Sequence, residues 1–218
     1  MISDNFKKRS LTSIFLIFLL LVNFFFQSIF LYSLLIIGVV SILEFINLIK
    51  RIFKNDLNKL ILSSIFISFL FAYFSLFFIL SNFIQLKIIL FSLLFGCIGS
   101  DIGGYVFGKI FKGPKITKIS PNKTISGSLG SILICCLTFS GSIFFFINSI
   151  NILIIITGIV TSIFCQLGDL FFSHLKRKAK QKDTGNLLPG HGGFLDRIDG
   201  MLLGIPVGFI FLFLFLDK

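Results

Sequence analysis

The sequence predicts an all-α fold, a polytopic bundle of about seven transmembrane helices whose N-terminus lies in the cytoplasm. Of its 218 residues, 56% are hydrophobic and only 13% are charged, and the mean hydropathy is +1.03. A soluble domain carries about 25% charged residues, so this chain lacks the polar side chains needed to cover a water-exposed surface. Apolar runs of about 20 residues, the length that a helix needs to cross the hydrocarbon core, recur along it.

Seven apolar runs define the expected spans. They lie near residues 11–28, 29–49, 60–82, 87–108, 126–147, 150–172 and 200–216. Only Asn23, Gln27 and Ser28 interrupt the first two, so this stretch is either a helical hairpin or one long tilted helix. Residues 1–22 have a basic head and an apolar run, but no small-residue cleavage site follows. We therefore expect a first membrane helix that stays in the protein.

The distribution of basic residues favours seven spans. With the N-terminus in the cytoplasm, eighteen of the twenty Lys and Arg residues fall on the cytoplasmic side, and only Lys87 and Lys218 fall outside. Six spans would place the N-terminal basic cluster on the opposite side. The net charge of +11 is then a property of the cytoplasmic face, which suits anionic lipid and anionic substrates. Nucleic acid is not an expected partner, because no soluble domain is present to bind it.

Three carboxylates fall inside the expected spans, at Glu44, Asp101 and Asp169. Ionisable groups at membrane depth are costly and usually functional. All three lie in the cytoplasmic half, about 6–10 Å from the helix ends at 1.5 Å per residue. For Glu44 we expect an ion pair with Lys50 or Arg51. Asp101 lies in GCIGSDIGGYVFGK, whose glycines allow another backbone or a ligand to come close.

The polar loop 109–125 contains the motif SPNKT. This motif supplies two hydroxyls, an amide and an ammonium group, from Ser120, Thr124, Asn122 and Lys123. These groups are the ingredients of a polyanion site, although most loops of this composition are only turns. Thr124, Ser126 or Ser128 is also expected to cap the next helix, whose N-terminal NH groups favour phosphate.

The second polar loop, 173–199, contains the sequence PGHGGFLDRIDG. Gly192 and Gly193 allow a ligand to approach the main chain, and His191 between glycines is a candidate for contacting a phosphate or carrying a proton. Asp196 and Asp199 are three residues apart and would share one face of a helix. Paired carboxylates suit Mg²⁺, which takes oxygen ligands and shares them with phosphates. Arg197 can hold phosphate oxygens with its fork of donors. A salt-bridge cluster at the membrane interface is the alternative for any one of these residues.

The polar motifs together resemble the signature of the phosphatidate cytidylyltransferase family, the CDP-diacylglycerol synthases. The pattern S-x-x-K-R, K-D, H-G-G-x-x-D-R-x-D falls on Ser173, Lys176, Arg177, Lys182, Asp183, His191, Gly192, Gly193, Asp196, Arg197 and Asp199. The patterns S-D-x-x-x-Y-x-x-G, S-P-x-K-T and G-D-L fall on Ser100, Asp101, Tyr105, Gly108, Ser120, Pro121, Lys123, Thr124, Gly168, Asp169 and Leu170. Glu44 and Phe45 are similar to an acidic–aromatic pair of an early span. The resemblance covers the chain from about residue 96 onward.

The resemblance implies an integral membrane enzyme that converts CTP and phosphatidate to CDP-diacylglycerol and pyrophosphate in phospholipid synthesis. It implies one or two Mg²⁺ ions, held by Asp169, Asp196 and Asp199. The catalytic positions would be Asp169, Asp196, Asp199, Lys176, Arg177, Arg197 and His191. The substrate-binding positions would be Asp101, Tyr105, Ser120, Asn122, Lys123, Thr124, Ser173, Lys182, Asp183, Gly192 and Gly193.

The chain is accordingly divided into N-terminal membrane helices, residues 1–95, and a catalytic membrane region, residues 96–218, with its loops at 109–125 and 173–199. The expected partners are CTP, phosphatidate and the lipid bilayer, and a homodimer is left open. The expected location is the bacterial inner membrane, with the active site facing the cytoplasm. A CTP-dependent lipid kinase of the polyprenol-kinase type is the enzymatic alternative. An ion-coupled transporter is the alternative of another class, and it would require polar groups through the whole membrane depth.

Overall fold

The protein was analysed as a computed structural model, which describes residues 4–117, 120, 123–187 and 192–215, with side chains from residue 11 onward. Regular structure within these ranges is mainly helical, and Lys115 and Thr124 form an isolated antiparallel bridge. The helices are α1 Asp4–Phe25, α2 Gln27–Ile52, α3 Asp56–Leu80, α4 Ile84–Phe111, α5 Ile125–Ile147, α6 Ile152–Lys178, α7 Leu195–Ile198 and α8 Met201–Phe215. The all-α prediction is confirmed.

Six helical stretches in the described ranges are long and apolar enough to cross a membrane. They are α2 to α6 and the segment Leu195–Phe215 that contains α7 and α8. Helix α1 adds a shorter apolar segment, Leu11–Phe25. Many large apolar side chains are exposed, including Phe71 and Phe145, as expected for surfaces that face lipid. The predicted membrane helix bundle is confirmed with six to seven spans, and the cytoplasmic N-terminus stays a prediction.

The first apolar run forms two helices that meet at Phe26. Phe26 has an extended backbone conformation, with φ −113° and ψ 103°. The Ser33 hydroxyl donates a hydrogen bond of 3.0 Å to the side-chain oxygen of Asn23. Ten residues along one straight helix would separate these positions by about 15 Å. The chain therefore bends sharply between α1 and α2, as the hairpin alternative requires.

The chain forms two compact units. The first comprises Met1–Asn82 and Leu175–Ile198, and the second comprises Phe83–His174 and Asp199–Lys218. The first unit thus holds α1 to α3 together with the end of α6 and α7. Aromatic rings pack inside it, with Phe45 and Phe66 stacked at a centroid distance of 3.8 Å. Residues 175–198, which the sequence analysis grouped with the C-terminal region, pack with the N-terminal helices.

Helices α4 and α5 of the second unit approach each other through glycines. A Cβ atom added at Gly103 would lie 2.4 Å from the carbonyl oxygen of Gly130, and one added at Gly130 would lie 2.4 Å from Cβ of Phe107. Both distances are far below van der Waals contact. The prediction that the glycines of GCIGSDIGGYVFGK admit a second backbone is confirmed, since α5 provides that backbone.

We expect Gly103→Ala to destabilise the second unit, because the added methyl group meets backbone atoms that cannot rotate away. Overpacking of this kind costs about 1–3 kcal/mol, which lowers the melting temperature of a chain of this size by about 2–12 °C. The measurement is thermal unfolding in detergent. Gly141→Ala is the matched control, because no atom lies within 4 Å of its added Cβ. Equal melting temperatures for the two variants would contradict the packing described here.

Candidate functional site

Lys123 and Asp169 form an ion pair in the second unit. Thr124 is the N-cap of α5, and its hydroxyl oxygen accepts a hydrogen bond of 3.1 Å from the NH of Gly127. This capping was one of the alternatives predicted from the sequence. It fixes the start of α5 and with it the preceding Lys123. Asp169, on α6, also accepts a hydrogen bond of 3.3 Å from the Ser173 hydroxyl.

A cavity of about 150 Å³ adjoins this ion pair. Its lining includes Tyr105, Lys123, Thr124, Ser128, Ser131 and Gln166. Water occupies about 30 Å³ per molecule in the liquid, so the cavity has the size of about five waters and accommodates a phosphate-sized group. Hydroxyl, amide and ammonium groups are the donors that a phosphate requires.

Gln166 is a polar residue of this cavity that the sequence analysis missed. Its amide nitrogen donates hydrogen bonds of 3.3 Å to the carbonyl oxygen of Ser128 and to Oγ of Ser162. Its side-chain oxygen accepts a hydrogen bond from the Ser128 hydroxyl. The signal that could have found it is an amide inside an otherwise apolar membrane helix, where polar side chains usually bond to a neighbouring helix.

Asp199 lies close to the helix that carries Asp169. A Cβ atom added at Gly168 would lie 2.7 Å from the backbone oxygen of Asp199, so this turn packs directly against α6. The Asp199 side chain is buried, and its Oδ1 accepts a hydrogen bond of 2.8 Å from the NH of Gly200. Asp199 lies in the turn between α7 and α8, whereas Asp196 lies on α7. The expectation that both occupy one helical face was therefore wrong, because α7 ends at Ile198.

A second lysine–carboxylate pair lies in the first unit. Lys176 Nζ is 2.7 Å from Oδ1 of Asp196, and the two side chains are only 10% and 5% exposed. Oδ2 of Asp196 accepts hydrogen bonds of 2.8 Å from the NH of Thr184 and 3.0 Å from the NH of Gly193. Asp196 therefore joins the end of α6 to both described parts of the connecting segment, residues 179–194.

Glu44 makes contacts that differ from the expected ones. Instead of pairing with Lys50 or Arg51, its carboxylate accepts three hydrogen bonds from the signature region. The donors are the Thr184 hydroxyl at 2.8 Å and the backbone NH groups of Phe194 at 3.1 Å and Leu195 at 2.9 Å. Sequence reasoning missed Thr184, since it lies between signature positions and a single threonine in a polar loop carries no distinct signal.

The remaining predicted residues occupy varied positions. Arg177, Arg197, Lys182 and Asp183 are exposed in the first unit, and Asp101 and Tyr105 are exposed on α4 of the second. The NH of Ser120 donates a hydrogen bond of 3.3 Å to the Thr117 hydroxyl. Gly192 has φ +86°, a conformation that favours glycine, and Gly193 is buried. The predictions for His191 and Asn122 concern positions outside the described residues.

The carboxylates provide the oxygen ligands that Mg²⁺ prefers, although the described ranges contain no ready cluster of three or more His, Cys, Asp or Glu side chains. Magnesium is commonly bound by one or two carboxylates together with substrate phosphates and water. Asp169 and Asp199 belong to neighbouring segments of the second unit and meet this requirement chemically. A carboxylate has about four acceptor positions, so the partners seen for Asp169 leave lone pairs for a cation.

The family profile described as "Cytidylyltransferase family" matches residues 1–215 of the chain. The chain belongs to the cytidylyltransferase family. The lysine–carboxylate pairs of this family member are built from the residues of its signature motifs. In the second unit they are Lys123 of SPNKT and Asp169 of GDL, and in the first unit they are Lys176 and Asp196.

Individual relatives are similar to part of this chain. A phosphatidate cytidylyltransferase of Staphylococcus haemolyticus is 45% identical over 111 residues, and one of Staphylococcus aureus (strain COL) is 41% identical over the same length. A phosphatidate cytidylyltransferase of Staphylococcus saprophyticus is 43% identical over 112 residues. These matches cover 50% of the chain and 42% of each relative, so the similarity spans less than half the length of these relatives.

Proposed function

We propose that this chain is a CTP:phosphatidate cytidylyltransferase that forms CDP-diacylglycerol and pyrophosphate. The observation that carries the proposal is the Lys123–Asp169 pair beside a cavity of phosphate size whose lining includes hydroxyl, amide and ammonium groups. Both residues belong to motifs of the cytidylyltransferase family, and the named relatives are phosphatidate cytidylyltransferases. Placement in membrane helices suits a reaction between a lipid and a water-soluble nucleotide.

In the proposed reaction, a phosphate oxygen of phosphatidate attacks the α-phosphorus of CTP. The new P–O bond forms as the bond between the α-phosphorus and the bridging oxygen of the β-phosphate breaks, and pyrophosphate leaves with that electron pair. The nucleophile needs no general base, because a phosphate monoester is largely ionised near neutral pH. The task of the protein is then to position the two polyanions and to offset their charge.

Cationic side chains supply the first part of this task. We assign phosphate contacts to Lys123, which adjoins the cavity of the second unit, and to Lys176, Arg177 and Arg197 of the first unit. The ammonium group of Lys123 can exchange part of its interaction with Asp169 for a phosphate oxygen, since it has three donors. Arg177 and Arg197 are exposed and carry the bidentate donor geometry that matches phosphate.

We propose that Mg²⁺ is the cofactor, with Asp169 and Asp199 of the second unit as oxygen ligands. The family resemblance alone adds Asp196 to this set. When bound, the ion would neutralise phosphate charge and help to align the nucleotide for displacement. Asp199 keeps its carboxylate next to α6 through its packing against Gly168 and its bond to Gly200. The stoichiometry of one or two ions follows only from the family resemblance.

We further propose a bacterial inner membrane location, with the N-terminus and the site on the cytoplasmic side. The support is the excess of Lys and Arg in the loops assigned to that side and the bacterial source of the named relatives. CTP is a cytoplasmic nucleotide, which agrees with that orientation. A homodimer stays a prediction.

The test follows the fate of each phosphate of CTP. Membranes containing the protein are incubated with phosphatidate, Mg²⁺ and CTP labelled with ³²P at either the α or the γ position. We expect the α label to enter the lipid fraction and the γ label to leave as pyrophosphate, with both processes stopped by EDTA and restored by Mg²⁺. Label from the γ position in lipid would contradict the proposal and support the lipid kinase alternative. No transfer from correctly inserted protein would also contradict it.

A further inference from the structure

We propose that Glu44 is a positioning residue whose buried carboxylate anchors the connecting segment and so holds the Lys176–Asp196 pair in place. This inference rests on the proposed function for its catalytic consequence, and on the contacts of the first unit for the anchor itself. Glu44 lies on α2, eight residues before its end at Ile52, which is about 12 Å along the helix. It is outside the C-terminal motifs that suggested the chemistry.

The environment of Glu44 explains why a carboxylate is needed there. Its residue exposure is only 4%, and a charge at such a position is stable only when its lone pairs are satisfied. Two backbone NH groups and one hydroxyl supply the hydrogen bonds, at 2.8–3.1 Å. Hydrogen bonds to an ionised acceptor are roughly twice as strong as neutral ones. The carboxylate therefore holds the chain where it enters α7.

Thr184 links this anchor to the lysine–carboxylate pair. Its hydroxyl donates to Oε2 of Glu44, while its backbone NH donates to Oδ2 of Asp196. Thr184 is itself only 7% exposed. Asp196 is bound from the other side by Lys176 at 2.7 Å. The four residues form one continuous chain of hydrogen bonds from α2 to the end of α6.

Two glycines lie so close to the Glu44 carboxylate that a side chain at either position would clash with it. A Cβ atom added at Gly185 would lie 2.5 Å from Oε1 of Glu44, and one added at Gly193 would lie 2.4 Å from its Oε2. Neither glycine has a backbone angle that by itself calls for glycine. The close approach of the carboxylate therefore excludes a side chain at Gly185. At Gly193 the Thr184 hydroxyl oxygen, 2.3 Å from the added Cβ, excludes it together with the carboxylate.

The first experiment measures hydrogen exchange and transfer in Glu44→Gln. In this variant an NH₂ group replaces one carboxylate oxygen and faces the hydrogen-bond donors of the connecting segment. The Phe194 and Leu195 backbone amides should therefore exchange faster than in the wild type. Loss of one hydrogen bond to a charged group corresponds to about tenfold or more. Cytidylyl transfer should fall by a similar factor. Ser41→Ala is the matched control, because Ser41 lies one turn earlier on α2, is fully buried and has an unpartnered hydroxyl within the described chain. It should leave both measurements unchanged.

The second experiment separates positioning from a general loss of stability. Gly185→Ala should reduce transfer in the wild type, because its methyl group displaces the Glu44 carboxylate. In a Glu44→Ala background the same substitution should add little, since the clash has been removed. Residues in contact are also non-additive in stability, so the fraction of folded protein is measured for each variant and transfer is expressed per folded molecule. Additive losses would overturn the positioning role.

Each remaining outcome is decisive. Unchanged amide exchange in Glu44→Gln would overturn the anchor. Faster amide exchange with undiminished cytidylyl transfer would support the anchor but overturn the role of Glu44 in positioning the Lys176–Asp196 pair. If the wild type transfers no cytidylyl group but its Phe194 and Leu195 amides are protected through Glu44, the proposed function fails while the anchor is supported.

Discussion

Lys123→Ala should reduce cytidylyl transfer by about 100-fold or more, the largest loss that we expect from a single cationic residue. Removing one donor that is positioned for charge in the transition state costs a factor of about 100–1000 in rate. The substitution removes the ion pair with Asp169 and the ammonium group that adjoins the polar cavity. Both effects weaken the handling of phosphate charge. The measurement is the initial rate of label transfer from α-³²P-CTP to lipid.

The matched control for this variant is Lys115→Ala. Lys115 lies in the same loop, its side chain is exposed, and its pairing with Thr124 is through the backbone. The control removes the same charge from the same loop and should keep most of the activity. Equal losses in the two variants would mean that general loop charge, and not the Lys123–Asp169 pair, supports the reaction.

Asp196→Asn should reduce transfer by about 100-fold or more, because breaking a buried, hydrogen-bonded charge pair costs about 2–5 kcal/mol and each 1.36 kcal/mol corresponds to a factor of ten. An amide has one oxygen and one NH₂ group, whereas the Asp196 carboxylate faces donors on both of its oxygens. The NH₂ group would meet either the Lys176 ammonium or the backbone NH groups of Thr184 and Gly193. The substitution therefore removes the Asp196 acceptor from one of its two sides, either the lysine ammonium or the two backbone NH groups.

Initial rates and protein yield in membranes check this expectation. Asn186→Ala is the control, because Asn186 is exposed in the same connecting segment. A Lys176→Met, Asp196→Asn double variant completes the cycle, and the two substitutions should be clearly non-additive because they act on one pair. Full activity of Asp196→Asn in correctly inserted protein would remove Asp196 from the proposed site.

The parts of the fold that depend on composition and local chemistry could be predicted from the sequence. Apolar runs of membrane-crossing length give the helices, because hydrocarbon requires every backbone group to be bonded internally. The Thr124 cap and the close packing at Gly103 follow from local signals, a hydroxyl before an apolar run and a row of glycines. The bend at Phe26 was predicted only through the distribution of basic residues, since no proline or glycine marks it.

The parts that depend on contacts distant in sequence could not be predicted. Glu44 and Leu195 are 151 positions apart, and the nearby Lys50 and Arg51 offered a simpler partner. The end of α7 at Ile198 separates Asp196 from Asp199, although their spacing is that of one helical face. In both cases local periodicity suggested one arrangement, and packing of the connecting segment produced another.

The proposed cytidylyl transfer can be tested by analysing the products that purified protein forms in phosphatidate-containing vesicles. CTP and Mg²⁺ are added, and CDP-diacylglycerol and pyrophosphate are quantified over the same interval, with Lys123→Ala beside the wild type. If the protein is a CTP:phosphatidate cytidylyltransferase, the wild type should form the two products in equal amounts. The rate for Lys123→Ala should be lower by about two orders of magnitude. Release of CDP with a newly phosphorylated lipid, or no turnover by intact wild-type protein, would contradict the proposed transfer.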